Sequence, residues 1–138
     1  MLRILEILLL AVTGLVLIAT GATGLVDPQA LFTPLDLQLE STSAHNEMRA
    51  TYGGLHVAMG LFLVAGALRA GLRRPALWVA LAFTGGLTVG RAVSFIVDGS
   101  PNEFVYGLWI PEGLAAIVAA ALLASGRNTP WHESGRTS

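Results

Sequence analysis

The sequence predicts an all-α protein that crosses a membrane four times. More than half of its 138 residues are apolar (54%) and only 12% are charged, against ~25% charged in an ordinary soluble domain. Four apolar stretches, at about 2–26, 46–68, 75–97 and 101–124, each reach the ~20 residues that a bilayer-crossing helix needs at 1.5 Å per residue. None of the four carries the polar outer face that a helix of a water-soluble bundle presents. Residues 1–126 are therefore expected to form one antiparallel four-helix transmembrane domain, and 127–138 a flexible polar cytoplasmic tail.

The first stretch reads as a retained helix rather than a cleaved signal. Its apolar run is longer than a usual signal core, Glu6 lies within it, and "ATGATG" is a loose cleavage site. Glu6, Thr13, Thr20 and Asp27 recur every seven residues and so share one face. Asp27-Pro28 then predicts a short interfacial helical turn through Phe32, broken at Pro34. The second helix opens with "NEMRATYGGLHVAMG", capped by Ser43, and sets Arg49, Tyr52, His56 and Met59 at helical offsets. The third carries Thr84, Thr88, Arg91 and Asp98 on one side. In the fourth, "SPNE" places Ser100 at the N-cap, Pro101 at the first helical position and Glu103 at the capping-box position, with Glu112 further in.

Charge sets the expected orientation. Arg3, Arg69, Arg73, Arg74, Arg127 and Arg136 fall on one side of the predicted spans. Asp27, Asp36, Glu40, Glu47, Asp98 and Glu103 fall on the other. Positive charge collects on the cytoplasmic side, so both termini face the cytoplasm and the acidic loops face outward. Net charge is −1 and no basic stretch is interleaved with aromatics, which argues against nucleic acid as a partner. The chain has no Cys, and His45, His56 and His132 have no paired spacing. No metal site or cofactor is therefore expected.

Counting ~1.5 Å per residue from the cytoplasmic ends, His56 and Glu112 lie roughly 20 Å deep, Arg91 roughly 25 Å and Arg49 roughly 30 Å. An ionised group facing lipid near the midplane costs ~2.5–3.5 kcal/mol, so such groups turn inward and pair. Arg91 with Glu112 is the expected pair, with Glu47 or Asp98 as partners for Arg49 and His56 within reach of either group. Gly53 and Gly54 in the second helix, and Gly86 and Gly90 in the third, mark expected sites of close helix approach.

Two patterns carry a resemblance. Asn46, Glu47, Arg49, Tyr52, Gly53 and Gly54 form "NExRAxYGG", and Gly90, Arg91, Asp98, Gly99 and Pro101 form "GR…DGxP". With the intramembrane Glu112, they resemble an uncharacterised bacterial family of small four-helix membrane proteins, described only as a domain of unknown function. The resemblance covers roughly residues 5–124. It implies the fold and topology and no activity.

Several readings follow for the polar cluster of Glu47, Arg49, Tyr52, His56, Arg91, Asp98 and Glu112. It can fix helix register as a structural pair. It can bind a lipid-like ligand's head group with Tyr52, Phe95 and Trp109 around the tail, or serve an accessory role in a homo-oligomer or larger assembly of the bacterial inner membrane. Alternatively, Glu, His and Arg in a water-poor pocket can move a proton on a lipid or isoprenoid, although no nucleophile motif supports an enzyme. Transport is least favoured, because no inverted repeat relates the halves.

Overall fold

A computed structural model describes residues 1–125, and the polar tail with Arg127, Trp131 and Arg136 lies outside the described residues. Five helices other than a 3₁₀ turn occur among the described residues: α1 (Leu2–Val26), α2 (Pro28–Phe32), α3 (Thr42–Leu68), α4 (Ala70–Val97) and α5 (Glu103–Ser125). No strand occurs among the described residues. All but α2 are long and apolar enough to cross a membrane.

Helix α1 ends where Pro28 withdraws a backbone donor, and the Asp27 carboxylate caps α2 by accepting from the Ala30 N–H at 3.3 Å. Pro34 does not stop the chain outright. It sits in a single 3₁₀ turn, Thr33–Leu35, that closes on Asp36 in the left-handed region (φ 56°), which Asp tolerates better than most residues. The Gln29 side-chain amide donates to the Leu37 carbonyl (2.9 Å), and its oxygen accepts from the Leu39 N–H (2.8 Å). One side chain thus pins the extended segment leading to α3.

Helix α3 begins earlier than the expected 46 and is capped by Ser41, not Ser43, through Ala44 N–H to Ser41 Oγ at 3.0 Å. Helix α5 begins two residues later than expected. Asn102, rather than Ser100, receives the Val105 N–H at 3.2 Å, while its amide donates to the Pro34 carbonyl at 2.9 Å. Helix α4 starts at Ala70, with only Arg69 between it and the end of α3, so Pro75 lies inside it. Arg73, expected in a connecting loop, is instead buried in the first turns of α4.

The core gathers Leu10 and Leu17 of α1, Leu63 and Ala67 of α3, Ala76, Leu77 and Ala80 of α4, and Leu122 and Leu123 of α5. Helices α1 and α3 meet along a seam of glycines. A Cβ on Gly14 would stand 2.8 Å from the Gly60 carbonyl, and one on Gly24 the same distance from that of Tyr52. Gly53 belongs to this seam, against Leu25. The other expected small-residue positions do not. Gly54 faces only its own helix, and Gly86 and Gly90 have nothing within 4 Å. Close approach needs an opposing backbone, and α4 turns those two glycines away from its neighbours.

Candidate functional site

Arg91 and Glu112 come together between α4 and α5. The guanidinium donates twice to the carboxylate, Nε to Oε2 at 2.8 Å and Nη2 to Oε1 at 3.1 Å, the two-point geometry that distinguishes Arg from Lys. Both side chains keep partial exposure, 24% and 17%. This is the one salt bridge among the described residues. Beside it, Trp109 donates its indole N–H to the Thr88 carbonyl at 3.0 Å, and Phe95 packs edge-on against Trp109 and tilted against Tyr106.

Thr84 and Thr88 point their hydroxyls back to the carbonyls one turn earlier, Ala80 and Thr84, each at 2.8 Å. Their oxygens therefore satisfy themselves within α4 and do not compete for Glu112.

Arg49 does not reach an acidic partner. Its Nε donates to the Leu25 carbonyl at 3.1 Å, in the last turn of α1, where a cation meets free carbonyls and the negative end of the helix dipole. Glu47 accepts from Thr51 Oγ1 at 3.0 Å and Asp98 from Ser94 Oγ at 2.9 Å, each from a residue four positions away in sequence. The expected partners of Arg49 are thus engaged locally.

His56 likewise makes no hydrogen bond to Arg91 or Glu112. Its Nδ1 lies 2.9 Å from the Thr51 carbonyl, so that nitrogen carries the proton and donates. The ring stacks on Tyr52 at 5.4 Å and meets Phe83 edge-on at 5.4 Å. Phe32 of α2 packs edge-on against Tyr52 at 5.0 Å. An aromatic file, Phe32–Tyr52–His56–Phe83, thereby links α2, α3 and α4. Residues Arg49–Leu55 form a π-helical segment, whose wider turn rotates Arg49 off the face it would share with His56 in a regular helix.

The seven predicted residues therefore fall into separate groups. Arg91 and Glu112 form one; Arg49, Tyr52 and His56 contribute to the α1–α2–α3 junction; Glu47 and Asp98 make local bonds. Phe32, Phe83 and Tyr106 join these groups without a signal in the polar pattern that picked out the others. No grouping of three His, Cys, Asp or Glu suited to a metal ion occurs among the described residues.

An all-helical chain with four helices of membrane-crossing length and apolarity has the architecture of a multi-pass membrane protein. The chain belongs to the family defined by the domain of unknown function DUF4345, whose model matches residues 5–123. No curated protein and no solved structure matches it significantly.

Proposed function

We propose that the chain is a binding or accessory protein of the bacterial inner membrane, an antiparallel four-helix bundle with both termini in the cytoplasm. Its principal contact is an amphiphile's polar head group at Arg91 and Glu112. The glycine seam supports the antiparallel arrangement, because positions rising along α1 meet positions falling along α3. Arg3, Arg69 and Arg74 at one end, with Asp36, Glu40 and Glu47 at the other, support the orientation.

The partial exposure of the Arg91–Glu112 pair carries the binding reading. A charge presented to hydrocarbon is costly, so a pair that the chain itself covers only in part favours a polar cover from outside. Trp109, Phe95 and Tyr106 provide an apolar flank beside it, suited to the glycerol or upper chain of an amphiphile. A second reading, docking of another transmembrane segment or a second copy, draws on the open Gly86 and Gly90 of the same helix. Proton transfer has no comparable support, since His56 is bound to the Thr51 carbonyl, stacked on Tyr52 and met edge-on by Phe83.

The test is native mass spectrometry of the full chain released from a mild detergent. The wild type should retain one lipid-like adduct more than the folded double variant Arg91→Leu/Glu112→Leu. Equal retention by the two proteins refutes head-group binding at this pair. A dimer lost together with the pair would favour the second reading.

A further inference from the structure

At the other end of the bundle, α1, α4 and α5 enclose a cleft of ≈ 160 Å³, open on one side and lined by Glu6, Ala70, Arg73, Arg74, Leu77 and Leu122. At the ~30 Å³ that a water occupies in the liquid, it has room for about five waters, or a group of phosphate size. The polar side chains around it are incompletely used. Arg73 is 9% exposed. One of its terminal nitrogens donates to the Ala67 carbonyl at 3.2 Å, yet its Nε is buried without a hydrogen-bond partner. Arg74 reaches the Leu123 carbonyl at 3.4 Å through one nitrogen, leaving further donors on the fork. Glu6 makes no ion pair among the described residues, although it lines the same cleft.

Arg73, Arg74 and Glu6 thus line one space, and none of the three forms an ion pair among the described residues. A lone anion is a poor match: Glu6 and the carbonyl ends of α3 and α5 offset much of the positive charge. A lone cation is opposed by the two arginines. A ligand with a phosphate beside an amine matches both poles, with the phosphate on the Arg forks and the ammonium on Glu6. The apolar lining, Leu77 and Leu122, and the half-exposed Leu5 and Trp78 of α1 and α4 nearby in sequence, suit the ester and upper-chain carbons of such a lipid.

We propose that this cleft binds the head group of a zwitterionic phospholipid, phosphate toward Arg73 and Arg74 and amine toward Glu6. The site uses none of the residues assigned to the Arg91–Glu112 contact and stands without that reading.

The experiment adds single lipids to the delipidated full chain in detergent and measures binding by native mass spectrometry. The probes are phosphatidylethanolamine, phosphatidylglycerol and diacylglycerol, with inorganic phosphate as competitor. Phosphatidylethanolamine should bind in preference to phosphatidylglycerol, and diacylglycerol should not bind. Arg74→Gln, an exposed position that leaves the buried Arg73 in place, should weaken phosphatidylethanolamine about 10- to 100-fold, the worth of a charge-assisted hydrogen bond. Glu6→Gln should abolish the preference while phosphatidylglycerol still binds. Diacylglycerol binding as well as either phospholipid overturns the phosphate assignment. An unchanged preference in Glu6→Gln overturns the amine assignment. Displacement of the lipid by inorganic phosphate, which then binds alone, overturns the lipid source in favour of the free ion.

Discussion

Replacing Glu112 by Ala strands Arg91, and the size of the penalty follows from where the pair sits. Breaking a fully buried pair costs ~3–5 kcal/mol, whereas an exposed pair contributes ~0–1 kcal/mol. At 24% and 17% exposure, this pair falls between those limits. Arg91 precedes Val97, the last residue of α4, by six positions, ~9 Å along the axis. Its stem can therefore carry an unpaired guanidinium toward the nearer membrane interface and recover part of the loss. A destabilisation of about 2 kcal/mol is expected for Glu112→Ala. Adding Arg91→Leu removes the stranded charge and supplies apolar volume, so the double variant should regain ~1 kcal/mol or more over the single one. Unfolding of the solubilised protein in graded SDS, followed by circular dichroism, measures all four species of the cycle. If the two single losses add to the double loss within ~0.5 kcal/mol, the side chains are uncoupled and the pair is not an energetic contact.

The glycines separate into two classes by the same assay. Gly60→Ala should destabilise by ~1–3 kcal/mol because its Cβ would stand 2.6 Å from the Gly14 carbonyl, whereas Gly90→Ala, in open space, should be neutral or gain ~0.5–1 kcal/mol of helix stability. Equal losses would refute the seam. Topology is checked in the Cys-free background: Thr42→Cys should label with an impermeant thiol reagent from outside intact cells and Gly71→Cys, also exposed, only after lysis. Labelling of Gly71→Cys from outside would reverse the orientation. Arg49→Lys should hold near wild-type thermal stability, since an ammonium can also serve the Leu25 carbonyl, while Arg49→Ala should lose ~1 kcal/mol. A Lys variant as weak as the Ala variant would show that the guanidinium plane itself is required.

The four long helices and the Arg91–Glu112 pair were legible because both follow from one strong constraint, the cost of polar groups in hydrocarbon. Long apolar runs announce themselves, and two opposite charges at similar depth on consecutive helices have few other partners. The hydrogen-bond partners of Arg49 and His56 are not legible because they are backbone carbonyls, Leu25 and Thr51, which every residue possesses and no side-chain pattern marks. The π-helical Arg49–Leu55 segment adds a second obstacle by breaking the 3.6-residue period on which face assignments rest. Caps shifted for a tertiary reason at α5, where the Asn102 amide is held by the Pro34 carbonyl and so favours Asn102 over Ser100. Gly86 and Gly90 show that small residues permit close approach without ensuring it. Nothing in the spacing could reveal that Arg73 folds inward with an unpaired Nε, because an arginine beside a polar turn reads as solvated.

Arg91 and Glu112 are separated by 21 positions in the chain, which gives their pairing a history as well as a geometry. At ~5–20 residues per second, the ribosome adds Glu112 about 1–4 s after Arg91. During that interval α4 exists with its cation and without its counter-charge. Insertion of α4 ahead of α5 would be opposed by up to ~2.5–3.5 kcal/mol, less whatever the Arg91 stem recovers by reaching the interface. Helices α4 and α5 therefore enter the bilayer most cheaply as a single unit, with commitment delayed until the carboxylate has been synthesised. A chain truncated just before Glu112 and released from the ribosome would offer α4 to the membrane with its cation unpaired, whereas the full chain offers both charges together.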